Sequence, residues 1–294
     1  MNGVRFQKVA IVGVGLIGGS LAAALKVHRL AGHLVGIGRK QATLDEALSL
    51  GLIDSASTDA AAVAGCDLIV LCAPVAQTQA LLVAMKPYLG ANTVITDAGS
   101  TKQDVVAAAK AALGGEYTDL IANFVPAHPI AGKAQHGPAA ADATLYQGRR
   151  VVITPLAENK PECVASVQAL WQAVGAQVSF MSPVQHDAVF SAVSHLPHLL
   201  AYALVAHIAN AEDAAAKLGY AGAGFRDFTR IAASSPEMWR DIFAANKTAL
   251  LKDLRDYQRM LGQLDDLLVT DNHAALEKMI SKAAAVRQDW GKSE

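Results

Sequence analysis

A glycine-rich turn near the start of the chain constrains the fold more than any other feature of the sequence. The apolar run 9–12 leads into Gly13, Gly15 and Gly18, and a helical stretch, 21–27, follows. In a G-x-G-x-x-G turn between strand and helix, the first glycine allows a tight turn, the second lets a pyrophosphate approach the backbone, and the third packs helix on strand. The helix N-terminus offers free N–H groups to the anion. The residues predicted to bind a dinucleotide here are Gly13, Gly15, Leu16, Ile17 and Gly18.

The end of the second apolar strand, 34–37, indicates which dinucleotide binds. Sites that hold NAD carry an acidic residue about 20 positions beyond the glycine turn, where it binds the ribose 2′-hydroxyl. This chain has Gly38, Arg39 and Lys40 there, and no Asp or Glu occurs from residue 34 to residue 43. An arginine at this place suits a 2′-phosphate instead. We therefore predict that Arg39 and Lys40 bind the cofactor and that NADP is preferred, with NAD as the alternative.

Composition and charge limit the classes of partner. The chain has 294 residues, enough for two domains, and 52% of them are hydrophobic. A net charge of −1 argues against a nucleic-acid or membrane-surface partner, which needs a concentrated basic face. The 3 cysteines include no C-x-x-C pair, which indicates a reducing compartment and predicts neither a disulfide framework nor a metal site.

The location of the protein is predicted from its apolar segments. The first residues lead directly into strand 9–12, which leaves no room for a signal peptide. No uncharged apolar run reaches the roughly 18 residues that a membrane helix needs. We therefore expect a cytoplasmic protein that has no membrane partner.

Short apolar runs alternate with alanine-rich helical stretches through the first part of the chain. This alternation predicts βαβ units and an α/β Rossmann-type, doubly wound parallel sheet over residues 1–182. After residue 183 the strand-like runs vanish, and apolar residues recur with a helical period up to Leu268. A second, all-helical domain over residues 183–294 follows, and its long apolar faces fit a homodimer interface. Further predicted buried parallel strands are 68–74, 93–97, 121–125, 151–154 and 177–180.

Residues that follow the predicted strands are the candidates for chemistry, because ligands bind at the carboxyl ends of strands in such a sheet. Pro74 is one of them and is expected to line the cofactor site. Ser100 either caps the next helix or lies beside the nicotinamide ring and orients a base. His128 is held in an extended backbone by Pro129. It is the predicted base, since the pKa of histidine lies near neutrality.

Two pairs of polar residues in the helical part are also candidates. The side chains of His195 and His198 could bind a metal ion, but no carboxylate or cysteine lies close to them in sequence. We therefore favour a role as polar anchoring groups that face the cleft between the domains. Arg226 and Arg230 share one helical face if the segment is helical. They either form surface ion pairs or hold a substrate carboxylate, a task that suits the planar guanidinium.

Taken together, these motifs resemble those of the prephenate/arogenate dehydrogenase family of tyrosine biosynthesis. Each motif is weak alone, and it is their order and spacing over residues 9–268 that carry the resemblance. The matching segments are 13–21, 97–102, 128–132, 194–198, 228–232 and 234–239.

The resemblance implies a Rossmann domain, a helical dimerisation domain and a site in the cleft between them. The ring hydroxyl of the substrate would pass its proton to His128 as hydride leaves the same carbon for the nicotinamide. Loss of the ring carboxylate as CO2 would then make the product aromatic. Ser100 matches the family serine that hydrogen-bonds this histidine. Arg230 matches the arginine that binds a substrate carboxylate, and His198 and Trp239 match residues that line the site.

Substrate choice and two rival functions stay open. After Gly132 this chain has Lys133, Ala134 and Gln135, whereas some prephenate-using members carry Thr and then Glu. The expected substrate is therefore prephenate, arogenate or both. A β-hydroxyacid dehydrogenase would need a catalytic lysine in the helical domain, and nothing in the sequence marks one. A non-catalytic nucleotide-sensing dimer would need no base, so His128 and Ser100 argue against it.

Overall fold

The structure is a computed structural model that describes residues 5–115, 120–133 and 135–291. Residue 134, in the segment that follows Gly132, therefore lies outside the described residues. The chain divides into two compact units, one that ends at Lys247 and one that begins at Thr248. The predicted domain boundary between residues 182 and 183 falls inside the first unit and stays a prediction.

The first unit is built on a six-stranded sheet in the order β3-β2-β1-β4-β5-β6. Every pair of neighbouring strands is parallel. This strand order is that of a Rossmann-type sheet and confirms the predicted fold class. The strands are β1 (Phe6–Val12), β2 (Ala31–Ile37), β3 (Ser55–Ser57), β4 (Leu68–Leu71), β5 (Val94–Asp97) and β6 (Phe124–Val125).

Helices cover both faces of this sheet, and the central strand β1 shows how. Successive side chains of a strand point to opposite faces. Val9 and Ile11 pack in one buried cluster with Leu21, whereas Ala10 and Val12 pack in a second cluster with other helices. The first cluster includes residues of α1 and α5, the second residues of α3 and α4. The helices of this part are α1 (Leu16–Val27), α2 (Gln41–Ser49), α3 (Thr78–Met85), α4 (Gln103–Leu113) and α5 (Pro161–Ala173).

A second, smaller sheet corrects part of the sequence prediction. Runs 151–154 and 177–180, expected in the parallel sheet, form β8 and β9 of a separate sheet in the order β7-β8-β9. In it β7 and β8 are antiparallel, whereas β8 and β9 are parallel. The break comes at Pro126, which has no N–H to continue the ladder, and the next N–H, of Ala127, donates to the Asp97 carboxylate instead. The strands are β7 (Ala127–Pro129), β8 (Arg150–Ile153) and β9 (Gln177–Phe180).

The described chain from residue 183 onward is helical, as predicted. The first helix begins with a capping box, in which the Ser182 hydroxyl accepts from the Gln185 backbone N–H at 3.2 Å and the Gln185 side chain accepts from the Ser182 N–H at 3.0 Å. A π-helical segment, Ser191–His195, separates the first two helices. The helices are α6 (Pro183–Phe190), α7 (Leu196–Ala209), α8 (Ala214–Gly219), α9 (Ala223–Thr229), α10 (Pro236–Ala245), α11 (Lys247–Val269) and α12 (His273–Gly291).

The helical stretch Pro183–Ala209 has a mean hydropathy of 1.5 and is long enough to span a membrane by length and composition alone. Three of its side chains, His186, Asp187 and His195, are buried and polar, and each forms hydrogen bonds within the chain. Such groups are expensive in a lipid environment unless their polar atoms have partners. The hydrogen-bond partners of Asp187 and His186 lie in the loop before α4 and in β7, which is typical of a helix packed inside a protein.

Candidate active site

The glycine turn after β1 forms a cradle of the right shape for a dinucleotide. Gly13 has a φ of +97°, and a Cβ there would lie 2.8 Å from the carbonyl of Cys72. A Cβ at Gly18 would lie 2.1 Å from the Gly13 carbonyl oxygen, so both positions require glycine. Among the described residues, no atom lies within 4 Å of the Gly15 Cβ position, and none of their side chains caps the N-terminus of α1. Open space beside uncapped N–H groups fits a pyrophosphate, so these residues suit the cofactor that the sequence predicts.

Arg39 and Lys40 lie beside this cradle at the end of β2. The turn adjoins the glycine loop, because the Gly13 N–H donates to the carbonyl of Ile37 at 2.7 Å. Both cationic side chains are exposed. No carboxylate among the described residues forms an ion pair with either of them. The two charges are therefore available to an anion at the edge of the cradle.

The loop after β5 carries Ser100 and is held by a buried ion pair. Asp97 accepts hydrogen bonds from Lys102 Nζ and from the backbone N–H groups of Gly99, at 2.8 Å, and Ala127, at 3.1 Å. Ser100 is half-buried, and α4 begins at Gln103 with Lys102 as its N-cap. The interpretation of Ser100 as a helix cap is therefore wrong. Pro74 lies exposed at the end of β4, and the Cβ position of Gly99 is 2.8 Å from the neighbouring Val75, so the two loops adjoin.

Asp187, from α6, caps the N-terminus of α4. Its carboxylate accepts from the backbone N–H groups of Lys102, at 2.8 Å, and Gln103, at 2.9 Å. Burial raises the pKa of Asp187, but its hydrogen bonds from His186, Gln103 and Lys102 outweigh burial and lower the pKa below its ordinary value. An ionised carboxylate at a helix N-terminus is favourable. Asp187 thus joins the helical part of the chain to the loop that carries Ser100.

His128 lies in β7, opposite Val152, and is half-buried. Its Nδ1 is 2.8 Å from Nε2 of His186. Its ring packs edge-on against Phe190, with centroids 4.9 Å apart. Burial lowers the pKa of His128 well below its ordinary value, and electrostatic repulsion from His186, Lys102 and His195 in their protonated forms lowers the pKa further. The imidazole is therefore neutral at pH 7, which is the state that a general base requires.

His195, at the end of the π-helical segment, is a buried anchor. Its Nδ1 lies 3.0 Å from the amide nitrogen of Asn246, and the same amide donates to the Asp187 carbonyl at 2.8 Å. The carbonyl of Ser100 is a hydrogen-bond partner of the His195 ring. Burial lowers the pKa of His195 to about 4. π-helical turns are frequent at functional sites, and here one carries a histidine that holds the Ser100 loop.

His198, Trp239 and Arg230 form a second group, on the helical side of the site. The rings of His198 and Trp239 stack with centroids 3.6 Å apart and planes 21° from parallel. Burial lowers the pKa of His198, and the charge of Arg230 lowers it further against the opposing hydrogen bond to Ser194, which places Arg230 close to this ring. Arg230 is exposed and has no carboxylate partner among the described residues. The Nε1–H of Trp239 also lacks a hydrogen-bond partner there.

His195 lies between the two groups. Its ring centroid is 6.1 Å from that of Trp239, and the ring is near enough to His128 to interact with it electrostatically when protonated. The structure therefore brings a candidate base and a candidate carboxylate site to the same region. Among the described residues, no group of three His, Cys, Asp or Glu side chains is arranged to hold a metal ion.

Sequence reasoning missed His186, Asp187 and Asn246. The first two are adjacent ionisable residues in the apolar stretch Pro183–Ala209, and polar groups there need buried partners. That signal was available in the sequence, although the partners were not. Asn246 carries no comparable signal, because it is the residue that ends α10 and looks like an ordinary C-cap.

A neutral histidine just beyond the carboxyl end of a strand of a Rossmann-type sheet that also carries a dinucleotide cradle is typical of nicotinamide-dependent dehydrogenases. The sequence matches "Prephenate dehydrogenase, nucleotide-binding domain" over residues 21–180 and "Prephenate dehydrogenase, dimerization domain" over residues 182–282. The chain belongs to the prephenate dehydrogenase family, and the resemblance read from its motifs is confirmed.

Similar proteins span nearly the whole chain. A cyclohexadienyl dehydrogenase from Zymomonas mobilis is 35% identical over 88% of this chain and 87% of its own length. The crystal structure of prephenate dehydrogenase from A. aeolicus with hydroxyphenyl propionate and NAD+ is 34% identical, with a TM-score of 0.90 over 96% of this chain and 98% of that one. Synechocystis arogenate dehydrogenase is 29% identical, with a TM-score of 0.80 over 97% of this chain and 100% of that one.

Proposed function

We propose that the protein oxidises and decarboxylates prephenate, arogenate or both, with a nicotinamide dinucleotide as hydride acceptor. The products are 4-hydroxyphenylpyruvate from prephenate and tyrosine from arogenate. The observation that carries the proposal is His128, a histidine kept neutral by burial and placed in β7, three residues beyond the end of β6 of the nucleotide-binding sheet. The activities named for the similar proteins support the same reaction.

In the proposed reaction His128 accepts the proton of the ring hydroxyl, and Ser100 helps to orient that hydroxyl. The bound nicotinamide ring takes the hydride from the same carbon. The alcohol carbon becomes a ketone, and the bond to the ring carboxylate breaks to release CO2. The electron pair of that bond enters the ring, and the ketone oxygen, now a phenolate, takes up a proton. General-base help of this kind contributes about 10²–10⁴-fold to a rate.

Arg230 is the proposed partner of a substrate carboxylate. It is exposed, unpaired among the described residues and close to the stacked rings of His198 and Trp239. A dianionic substrate approaching a protein of net charge −1 needs a local cation. The stacked rings offer an apolar wall beside that cation, which suits a cyclohexadiene ring.

Arg230→Ala is expected to raise KM for the substrate while kcat changes little. A charge-assisted pair of about 1.5–3 kcal/mol corresponds to a rise of about 10–150-fold. Steady-state kinetics with saturating cofactor measures the effect. Arg149→Ala, which removes an exposed arginine directly before β8, is the matched control and should leave KM near the wild-type value. Equal KM values for the Arg230 variant and the wild type would contradict the assignment.

The cofactor proposal is a preference for NADP over NAD. Its support is the pair of exposed cations Arg39 and Lys40 at the end of β2, which form no ion pair with any described residue and lie in the turn that adjoins the glycine cradle. A cation in that place suits a 2′-phosphate, whereas NAD sites hold the free ribose hydroxyl with an acid. The A. aeolicus structure contains NAD+, so NAD stays the alternative.

Arg39→Asp is expected to shift the ratio of kcat/KM for NADP to that for NAD toward NAD. The reason is that the new carboxylate repels a 2′-phosphate and accepts a hydrogen bond from a free 2′-hydroxyl. Arg5→Asp makes the same charge change at an exposed residue before the opposite end of β1 and should leave the ratio unchanged. An unaltered ratio in the Arg39 variant would refute the 2′-phosphate role.

One assay tests the proposed function directly. The purified protein is mixed with prephenate or arogenate, each with NADP or NAD, and both reduced cofactor and aromatic product are followed. Reduced cofactor formed together with 4-hydroxyphenylpyruvate or tyrosine supports the proposal. No turnover in any of the four mixtures overturns it.

The partner proposals are a small-molecule substrate and a second copy of the chain. Residues 182–282 match a dimerization domain, and the second unit exposes large apolar side chains, among them Leu261, Leu268 and Ile280. Burying such side chains between identical helices is the commonest solution. Light scattering on the purified protein measures the mass, and a monomer at working concentration would overturn the homodimer. A cytoplasmic location, and no nucleic-acid or membrane partner, stay predictions.

A further inference from the structure

We infer that His186 and Asp187 are positioning residues that hold His128 in the tautomer whose Nε2 is unprotonated and open to the substrate. The inference rests on the proposed role of His128 as the base. It assigns to α6, in the helical part of the chain, the task of setting the hydrogen-bonding state of a base that lies in β7.

The three side chains form a hydrogen-bonded series. Nδ1 of His128 lies 2.8 Å from Nε2 of His186, and Nδ1 of His186 lies 2.9 Å from Oδ1 of Asp187. His186 and Asp187 are almost fully buried, at 0% and 1% exposed, so water cannot replace either bond. Two imidazoles and a carboxylate in series leave few arrangements of their protons.

Asp187 fixes the first proton. Among the described residues, its carboxylate accepts hydrogen bonds from the backbone N–H groups of Lys102 and Gln103 and from the Gln103 amide, and its remaining partner is the His186 ring. A carboxylate that accepts several hydrogen bonds stays ionised. Since it has no proton to give, the proton of this bond belongs to Nδ1 of His186.

The second proton follows from the first. Burial lowers the pKa of His186 against the opposing effect of Asp187, so the ring is neutral at pH 7 and carries one N–H. With that N–H directed at Asp187, Nε2 of His186 is an acceptor. Nδ1 of His128 must then donate to it, and the remaining ring nitrogen, Nε2, keeps its lone pair. This is the nitrogen that would take the substrate proton.

Packing holds the same ring in place. Phe190, one turn after His186 on α6, lies 4.9 Å from the ring centroid of His128 and 4.5 Å from that of His186. Both contacts come from one helix, so α6 determines the orientation of the base as well as its tautomer. A base held in one orientation loses less freedom in the transition state.

Three titratable groups face His128: His186 on α6, His195 on the π-helical segment, and Lys102 in the loop before α4. Each, when protonated, would oppose a positive charge on His128, and the two histidines are themselves neutral at pH 7 because burial lowers their pKa values. Lys102 is itself paired with Asp97. When His128 takes a proton, its Nδ1–H donates to an imidazole that Asp187 polarises, which stabilises the new cation. A third group that orients a base in this way is a recurring device in enzymes.

Asp187 links the base to Ser100 as well. The carboxylate that orients His186 also binds the N–H of Lys102, two residues after Ser100. The Asn246 amide that binds the Asp187 carbonyl contacts His195, whose ring is a hydrogen-bond partner of the Ser100 carbonyl. The base and the serine are thus positioned by one connected group of side chains.

The first test reads the tautomer without turnover. In the full-length protein labelled with 15N-histidine, the ring nitrogens of His128 are observed by NMR and assigned by their loss in His128→Asn. We expect a protonated Nδ1 and an unprotonated Nε2 at pH 7. A protonated Nε2 in the wild-type protein would overturn the inference even if His128 proves to be the base.

The second test compares two substitutions of His186. His186→Leu removes the acceptor and should lower kcat by about 10–100-fold, the usual cost of losing an outer partner, with KM for substrate and cofactor unchanged. In His186→Gln the side-chain oxygen can accept from Nδ1 of His128, and it should recover part of the lost kcat and the wild-type tautomer. If kcat falls equally in both variants, in proportion to their loss of thermal stability, His186 has only a structural role.

The two hypotheses fail separately. Full turnover in His128→Asn would show that His128 is not the base, whereas the tautomer measured in the wild-type protein would still stand. The opposite result is an unprotonated Nδ1 of His128 in the wild-type protein together with a large loss of turnover in His128→Asn. It would support His128 as the base and refute the positioning role of His186 and Asp187.

Discussion

Replacing His128 by asparagine is expected to lower kcat by about 10²–10⁴-fold, the usual contribution of a general base. Asparagine can keep a hydrogen bond to His186, but it cannot accept a proton at neutral pH. His128 has no part in the glycine cradle, so the dissociation constant for the cofactor should stay near the wild-type value. Stopped-flow measurement of hydride transfer and fluorescence titration of the cofactor separate the two effects.

His28→Asn is the matched control for that variant. His28 is exposed at the C-terminal end of α1, the opposite end of this helix from the glycine cradle. The same change of residue type there should alter neither hydride transfer nor cofactor binding. Wild-type turnover in the His128 variant would exclude this residue as the base.

The pH profile of the wild-type protein should carry the signature of the same group. Burial holds the pKa of His128 below the ordinary value of 6.5. The base acts only when neutral, so kcat/KM should be level around pH 7 and fall as the pH drops through the pKa of His128. The acid limb should therefore lie below pH 6.5, and it should be absent from the residual activity of His128→Asn.

The features that the sequence predicts well are those that depend on residues close together along the chain. Strand, glycine turn and helix occupy consecutive positions around Gly13, Gly15 and Gly18, and their spacing alone identifies the turn. His128 is predictable for a related reason, because it lies three residues after the apolar run 121–125 and directly before a proline. Periodicity and position relative to a strand are local properties, and a single sequence contains them.

The relations around the base are not local. His128 and His186 are 58 positions apart, and Lys102 and Asp187 are 85 apart. No periodicity connects such pairs, since they meet only when α6 packs against the loop before α4 and against β7. The small second sheet was misassigned for a similar reason. An apolar run such as 151–154 predicts a strand but does not say which neighbour it pairs with.

A buried ion pair supports the loop on which the proposed chemistry depends. The Lys102 and Asp97 side chains are 0% and 3% exposed. Asp97 also binds the backbone N–H groups of Gly99 and Ala127. One carboxylate therefore joins the end of β5, the loop of Ser100 and the start of β7, where His128 follows. Its charge has one cationic partner, Lys102, among the described residues.

Lys102→Met is expected to destabilise the protein by about 3–5 kcal/mol, because it leaves a buried carboxylate without its cation. Methionine keeps much of the apolar stem, so the effect reports the charge more than the volume. For a unit of this size each kcal/mol lowers Tm by about 2–4 °C, so Tm should fall by on the order of 10 °C. Thermal unfolding followed by circular dichroism, at one fixed protein concentration, measures the shift.

Lys110→Met is the matched control, since it makes the same substitution in an exposed pair. Lys110 and Glu158 have side chains that are 47% and 38% exposed, and pairs of this kind contribute about 0–1 kcal/mol. Its Tm should therefore move by at most a few degrees. If the two variants lose the same stability, burial is not what makes the Lys102–Asp97 pair important. A large fall in Tm for Lys102→Met alone would show that burial makes this pair important. Slower hydride transfer by that variant at temperatures where it is folded would show that the pair also helps to place Ser100 and His128.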